Sequence, residues 1–404
     1  MVKNKFKFIP MFIAAAAVVL SLIVPSMSAK ADPAGVAKVG GVTYATLQEA
    51  VDAAGADAAI EIIGDVLLTQ TVIIPSGKKI TIKDDGKVRT ISADGASSLN
   101  PLIDVRSGAE LTIDAGSDEG LVMNGNTCNG NDTASVILNK GTLNFKKGTI
   151  NGGNFTNSEF SAVINNGTCS IFNMSGGYIQ NTRMDDKCWY SSPVKVSSGS
   201  KFNMSGGEIR NNENLYKSSL SGGGGVLLMV WNENEPIAEM AMTGGKIDGN
   251  TAVNGGGIYM TAFTKLNMTG GTISNNKTIG SGMGGGVCVS AISSVGGYDK
   301  TTFIMDGGSI IGNEASNGGG IYVNSDEVYL NAGYIEENTA RADTANYWTG
   351  HGGGIYVSAV PRVLHVNNAI VTQNTARALT GVSGTSGMGG GLWAPALQER
   401  SISR

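Results

Sequence analysis

Residues 240–260 read MAMTGGKIDGNTAVNGGGIYM, and residues 266–289 read LNMTGGTISNNKTIGSGMGGGVCV, so the same sequence motif, or phrase, occurs twice. The shared unit is [F/L/M]-x-M-x-G-G-x-I-x-x-N-x-[T/A], followed after a spacer by G-G-G-[I/V]-x-[V/M]. The methionine position recurs along the chain, with weaker copies towards both ends, at Ile82, Ile113, Phe145, Met174, Met204, Met242, Met268, Met305, Leu330 and Val366. Unequal steps, such as 26 residues from Met242 to Met268 and 37 from Met268 to Met305, predict a minimal coil that carries insertions.

Both halves of the phrase have the period of a β-strand. Ile258 and Met260 flank Tyr259, so that apolar residues alternate with a residue that can face outward. Pairs and triplets of glycine between these segments supply tight corners, and no segment inside the repeats carries a helical stripe. The repeats therefore predict an all-β parallel solenoid, in which equivalent residues of successive coils stack about 4.8 Å apart.

An asparagine lies eight residues beyond most of the methionine positions. The members of this slot are Asn212, Asn250, Asn276, Asn313, Asn338 and Asn374. In a solenoid they would stack at one corner, each amide bonding to its neighbours and to the turn backbone. The alternative is that asparagine is only a common turn residue.

The repeat phrases resemble those of a known class of secreted proteins. Together with the opening Tyr44-Ala-Thr-Leu-Gln-Glu-Ala-Val-Asp-Ala-Ala, they are similar to the right-handed parallel β-helix proteins of the pectin-lyase-like superfamily. They resemble more closely the adhesin-type surface proteins of Gram-positive bacteria. The resemblance implies a right-handed parallel β-helix, but the superfamily holds lyases, hydrolases and non-catalytic surface proteins alike.

The N-terminus has the pattern of a secretory signal peptide. Lysines 3, 5 and 7 precede an apolar run over 11–24, and Ala29-Lys30-Ala31 is a small-x-small cleavage site, so residues 1–31 are predicted to be removed. The rival interpretation is a transmembrane anchor, for which the run is short. We expect a mature chain that is secreted, or associated with the cell wall, and that does not span the membrane.

Residues 32–58 differ from the repeats and predict an N-terminal cap. Thr46 and Glu49 form a capping box ahead of an amphipathic helix that carries Leu47, Ala50 and Val51 on one face. Such a helix is suited to cover the open end of a solenoid. The repeats are predicted over 59–394, and 395–404 form either a tail or the end of a truncated chain.

Composition narrows the class of partner. The chain has 404 residues, 59 of them glycine, with 15% charged residues and a net charge of −4. This mild acidity, without a basic patch, argues against nucleic acid as a partner. The four cysteines, Cys128, Cys169, Cys188 and Cys288, allow three pairings, of which Cys128 with Cys188 is plausible if two insertions meet. No cysteine or histidine spacing suggests zinc.

Enzymes on a β-helix use clustered carboxylates, with a base or with calcium. The candidates are Asp84 and Asp85 with Arg89, the pair Asp185-Asp186, and His351, which stands in Gly-His-Gly. Each has a simpler interpretation as a turn, a solvated loop or a residue before the glycine triplet. We therefore assign no catalytic residue and no cofactor, and calcium enters only if the chain is a lyase.

Aromatic residues are the better candidates for a binding site. The middle position of G-G-G-[I/V]-x-[V/M] predicts a file on an outer face, made of Tyr259, Tyr322, Tyr356 and Trp393, with Cys288 in the same slot. Insertions add Trp189, Tyr190 and Trp348. Sugar rings stack on aromatic faces, although tyrosine is also favoured on strands without any ligand.

Three functions remain open from the sequence. The first is a non-catalytic surface protein that adheres to an extracellular glycan or a host surface protein. The second is a polysaccharide lyase or glycoside hydrolase, which should show an irregular coil with clustered charges, whereas the most regular coils here carry the least charge. The third is a structural stalk that holds another domain away from the cell.

Overall fold

The computed structural model describes residues 35–94, 99–125, 128–129, 134–156, 160–188, 190–217, 222–290, 301–325, 327–342, 349–358, 364–378 and 387–394. The chain divides into two compact units, Met1–Pro33 and Ala34–Arg404, and everything described belongs to the second. The predicted signal peptide and the tail 395–404 lie outside the described residues. Among the residues described, no helix has the length and apolar content that crossing a bilayer needs.

One short helix and many short strands make up the described chain. The helix is α1, Leu47–Ala53. The strands are β1 Ala37–Val39, β2 Val42–Tyr44, β3 Asp57–Ile62, β4 Val66–Leu68, β5 Val72–Ile74, β6 Lys79–Asp84, β7 Arg89–Ala93, β8 Ile103–Val105, β9 Glu110–Asp114, β10 Leu121–Asn124, β11 Cys128–Asn129, β12 Ala134–Asn139, β13 Thr142–Lys147, β14 Thr149–Thr156, β15 Phe160–Asn165, β16 Ile171–Met184, β17 Val194–Val196, β18 Lys201–Arg210, β19 Glu213–Asn214, β20 Val226–Leu228, β21 Ala238–Met242, β22 Lys246–Asp248, β23 Thr251–Ala252, β24 Ile258–Met260, β25 Thr264–Met268, β26 Thr272–Ser274, β27 Lys277–Thr278, β28 Val287–Ser290, β29 Thr302–Ile311, β30 Glu314–Ala315, β31 Ile321–Asn324, β32 Glu327–Glu336, β33 Thr339–Arg341, β34 Ile355–Val357, β35 Leu364–Val366, β36 Ile370–Thr372, β37 Thr375–Arg377 and β38 Leu392–Trp393.

From β3 onwards the described strands stack in parallel as successive coils, so the protein is an all-β parallel solenoid, as the repeats predicted; β1 pairs antiparallel with β2 and β3. Within the described residues, 27 strands form one continuous sheet and 11 form a second sheet. The second, which we call the eleven-stranded sheet, runs β5-β8-β12-β15-β17-β20-β24-β28-β31-β34-β38. It holds the G-G-G-[I/V]-x-[V/M] segments, and the larger sheet holds the rest of each repeat.

The methionine position of the repeat forms a single file inside the coils. Met204 pairs in register with Met242, Met242 with Met268, and Met268 with Met305. Their side chains are buried in one continuous apolar core. The turn after each methionine needs glycine: Gly271 has φ +83°, and a Cβ there would lie 2.8 Å from the carbonyl oxygen of Gly244.

The asparagine slot forms a second file, at a buried corner. Asn276 shows its pattern: Oδ1 accepts from the backbone N–H and from Nδ2 of Asn250, both at 3.0 Å, and Nδ2 donates to Oδ1 of Asn313 at 3.0 Å and to the carbonyl of Ile247 at 2.8 Å. Hydrogen bonds from each side-chain amide to the next continue without a break through Asn212, Asn250, Asn276, Asn313, Asn338 and Asn374. Every amide atom of Asn276 is therefore satisfied by the coils beside it.

The helix α1 packs against β1, β2 and β5, and its role as a cap for the end of the solenoid stays a prediction. Thr46 and Glu49 form the capping box, and Leu47, Ala50 and Val51 are buried. At the other end of the helix, the ammonium of Lys78 donates to three backbone carbonyls, with the shortest bond 2.6 Å to that of Val51. A cation at this end also complements the helix dipole.

Candidate ligand-binding face

The eleven-stranded sheet presents one residue per coil on the side away from the core. In β24, Ile258 and Met260 belong to the core, whereas Tyr259 belongs to a separate buried cluster on the other side of the strand. Register between strands continues this position along the sheet as a line that we call the outer file: Ile73, Asp104, Leu138, Ile164, Lys195, Leu227, Tyr259, Cys288, Tyr322, Tyr356 and Trp393.

The aromatic part of the outer file is stacked ring on ring. The ring centroids of Tyr322 and Tyr356 lie 5.3 Å apart with planes 10° from parallel, and those of Tyr356 and Trp393 lie 4.6 Å apart at 15°. Both faces of the Tyr356 ring are therefore in contact with another ring. Stacking at this distance is favourable in itself.

The burial of these rings differs from the open platform that the sequence predicts. Tyr259 is only 1% exposed and Tyr356 only 8%. The same cluster holds Met229, and Tyr190 and Met283 pack against it. Burial raises the pKa of the hydroxyls of Tyr259 and Tyr356. A ligand at this part of the file would meet ring edges rather than ring faces, except at Trp393, which is partly exposed.

The insertion aromatics are described only in part. Trp189 and Trp348 lie outside the described residues, so their role in binding stays a prediction. Tyr190 packs edge-on against Trp231, with ring centroids 4.7 Å apart. Trp231, which the sequence did not single out, is 47% exposed.

Trp231 borders a cleft on the outer side of the same sheet. The cleft has a volume of about 450 Å³, within the usual range for small-molecule sites. Its lining combines one aromatic ring, hydroxyl and amide groups, one carboxylate and one amine: Ile164, Asn166, Gly167, Thr168, Lys195, Ser197, Ser198, Trp231, Glu235 and Pro236. The sequence feature that could have indicated this cleft is Lys195 in Val194-Lys195-Val196, a cation at the outward position of an otherwise apolar strand.

Lys195 is the most unusual ionisable group of the cleft. Its side chain is only 4% exposed, and its Nζ lies 6.0 Å from the centroid of the Trp231 ring. Burial away from water disfavours the ammonium form and lowers the pKa of Lys195 to about 8.

Glu235 fixes the loop that carries Trp231. Its carboxylate accepts hydrogen bonds from the Ser198 hydroxyl, from the Asn232 amide at 2.7 Å and from the backbone N–H of Trp231 at 3.4 Å. These bonds tie the loop to the strand side of the cleft, so the indole is held as a wall.

The carboxylates considered for catalysis are engaged in structural bonds. Asp84 accepts from the backbone N–H groups of Gly86 at 2.7 Å and Gly116 at 2.6 Å. Asp85 is bound at both oxygens by Arg89, whose hydrogen bonds lower the pKa of Asp85. Both carboxylates are therefore used as acceptors in structural bonds, Asp84 for backbone amides and Asp85 for Arg89.

The other two candidates for chemistry are also in turn or packing positions. Asp185 accepts from the backbone N–H of Lys187 at 2.9 Å, as in a turn. His351 is 1% exposed, and its ring stacks on Trp393 at 5.1 Å. Within the described part of the chain, no group of three His, Cys, Asp or Glu residues could hold a metal ion.

The described cysteine side chains differ in burial. Cys288 lies buried in the outer file, where burial raises the pKa of its thiol, and Cys169 is exposed. The side chain of Cys128 lies outside the described residues, so the pairing with Cys188 stays a prediction.

No family model, no curated protein and no solved structure matches this chain. The resemblance to pectin-lyase-like proteins and Gram-positive adhesins accordingly rests on the repeat phrases. Its coarser content, stacked parallel strands compatible with a β-helix, is present in the structure.

Proposed function

We propose that the chain is a secreted or wall-associated surface protein of the pectin-lyase-like β-helix class, non-catalytic, which adheres to an extracellular glycan or host protein. The observation that carries this proposal is the concentration of aromatic side chains on the outer side of the eleven-stranded sheet. Trp231 and Trp393 are partly exposed there. Trp393 stacks on Tyr356, which in turn stacks on Tyr322.

An aromatic ring that is held rigidly and half exposed suits a sugar ring, because the apolar face of the sugar can stack on it while its hydroxyls stay hydrated. Trp231 meets this condition, since Glu235 and Tyr190 fix its loop and ring. Hydroxyl and amide groups of Ser197, Thr168 and Asn166 line the same cleft and could bond to sugar hydroxyls.

Binding is favoured over hydrolysis because of how the carboxylates are used. A glycoside hydrolase needs two carboxyl groups on either side of one bond, one of them able to give a proton. Asp84 and Asp85 are occupied by backbone amides and by Arg89 instead.

The test compares Trp231→Ala and Trp393→Ala with Tyr334→Ala on a mucin and glycan array. Tyr334 is the matched control, because it is 48% exposed but lies on the larger sheet. We expect at least a tenfold loss of binding for either tryptophan variant and none for the control, with unchanged circular dichroism. Equal binding by all three, or release of reducing or unsaturated sugars by the wild type, would contradict the proposal.

A further inference from the structure

Lys195 occupies a slot in the outer file that its neighbours fill with apolar side chains. It pairs in register with Ile164 on one side and Leu227 on the other, and both are almost fully buried. A lysine between two such residues leaves little water around its amine. Lys195 is nevertheless one of the residues that line an open cleft, so its side chain borders a space that a small ligand can enter.

We propose that Lys195 is a carbonyl-reactive amine, and that the cleft beside Trp231 captures a small hydroxyaldehyde, such as an open-chain sugar, as a reversible imine. The lone pair of the neutral amine attacks the carbonyl carbon and forms a C–N bond. The carbonyl oxygen then leaves as water, taking both protons of the amine, and a C=N bond remains. The step consumes no oxidant or reductant, and water reverses it.

Desolvation is what makes this lysine different from the others. Lysines buried in apolar surroundings serve as Schiff-base nucleophiles because a larger share of the amine is neutral. With the pKa of Lys195 lowered to about 8, roughly a tenth of the amine is neutral at pH 7. An ordinary lysine has a neutral share on the order of a hundredfold smaller at that pH.

The walls of the cleft suit a hydroxylated aldehyde. The Trp231 ring lies 6.0 Å from the amine, close enough to cover the carbon chain of a bound ligand. Ser197, Asn166 and Thr168 offer donors and acceptors for its hydroxyls. The charged group that shares the described lining with Lys195 is Glu235, whose bonds to Ser198, Asn232 and the backbone of Trp231 place it in the wall.

This chemistry is separate from the proposed adhesion. A chain that binds no polysaccharide could still capture an aldehyde, and a glycan-binding chain could leave Lys195 unreactive. The two proposals therefore fail in different experiments.

The test treats the full chain with glycolaldehyde and cyanoborohydride at pH 7, where hydride converts any imine into a stable secondary amine. Peptide mass spectrometry then gives the labelling rate of each lysine. Lys201 and Lys246 are internal controls, since their side chains are 55% and 58% exposed. We expect Lys195 to be labelled at least ten times faster than either control.

Two variants and a change of pH separate reactivity from mere access. Lys195→Arg should lose the fast labelling while Lys201 and Lys246 react as before, and Trp231→Ala should reduce the advantage of Lys195 because it removes a wall of the cleft. The advantage should shrink near pH 10, where ordinary lysines lose their protons too. Labelling of Lys195 at or below the rate of the two controls at pH 7 would overturn the proposal, as would an advantage that grows towards pH 10.

Discussion

Within the described residues, the asparagine file takes one residue from each of six coils and the outer file one from each of eleven, and the two files use that position in opposite ways. In the asparagine file the same side chain recurs, and each amide bonds to the amides of the coils beside it. In the outer file the side chain changes from Asp104 to Lys195 to Tyr356 along the sheet. Identical asparagines can satisfy one another's hydrogen bonds. The varied side chains of the outer file do not form such a ladder, so their polar and aromatic groups can contact a ligand.

The asparagine file stabilises the coils, whereas the outer file lies on the side of the sheet away from the core. A buried amide without partners is destabilising by about 1–3 kcal/mol, so a corner asparagine requires partners in the coils beside it. These partners include amides of the same file and, at Asn212, the backbone N–H of Thr182. The outer side of the eleven-stranded sheet has no such requirement, because its side chains lie outside the core. Substitutions in the outer file should therefore change the free energy of unfolding by amounts that depend on the contacts of the residue replaced.

The largest effect is expected at Lys195, as a dependence of stability on pH. The pKa of its ammonium is about 8 in the folded protein, against an ordinary 10.5. Between these values the unfolded chain binds the proton that the folded chain has lost, so the free energy of unfolding rises with pH, by about 3 kcal/mol across the window. Below about pH 8 both states are protonated and this contribution is constant.

Lys195→Met removes the titrating group and should abolish that rise. Urea unfolding of wild type and variant at pH 7 and pH 10 measures it, and the variant should be the more stable protein at pH 7. Parallel changes of the two proteins with pH would show that Lys195 is not desolvated as described.

The next effect is expected inside the asparagine file. Asn276→Ala leaves the Nδ2 of Asn250 and the carbonyl of Ile247 without their partner, and should lower the free energy of unfolding by about 2 kcal/mol. The control is Asn203→Ala, because Asn203 donates to Asn173 in a similar ladder on an exposed surface, where water can replace the bond. Equal losses for the two variants would contradict the distinction between buried and exposed ladders.

The smallest effect is expected in the aromatic stack. Tyr356→Leu keeps an apolar side chain but loses the contacts with Tyr322 and Trp393, and should lower the free energy of unfolding by about 1 kcal/mol. Glycan binding should fall less than in Trp393→Ala, because both faces of the Tyr356 ring are covered by other rings and only its edge can contact a glycan. A greater loss of binding than in Trp393→Ala would place the ligand on Tyr356 itself.

Much of the fold could be predicted from the sequence because equivalent positions of the repeat show which residues pair between successive coils. The methionine and asparagine positions are marked in each phrase, and the capping box at Thr46 marked the helix. The exposure of Tyr259 and Tyr356 could not be read in this way. Met283 and Tyr190 pack against the cluster that holds both rings, and Tyr190 belongs to an insertion. The repeat carries no information on where insertions fold.

The cleft was missed for a related reason. Lys195 and Trp231 are 36 positions apart in the chain and meet only because one coil brings the loop after β20 back over β17. Neither residue stands at a position whose residue type recurs from repeat to repeat. Only the cation in the outward slot of β17 gave any sign of an unusual environment.

The stacking of coils in register is tested most directly by spin-label distances along one file. Lys79, Lys201 and Glu327 occupy the same slot, with Lys201 four coils and Glu327 eight coils beyond Lys79 among the described strands. At about 4.8 Å per coil, labels at Lys79 and Lys201 should lie about 19 Å apart, and labels at Lys79 and Glu327 about 38 Å apart. A second distance that is not close to twice the first would contradict a solenoid of stacked coils.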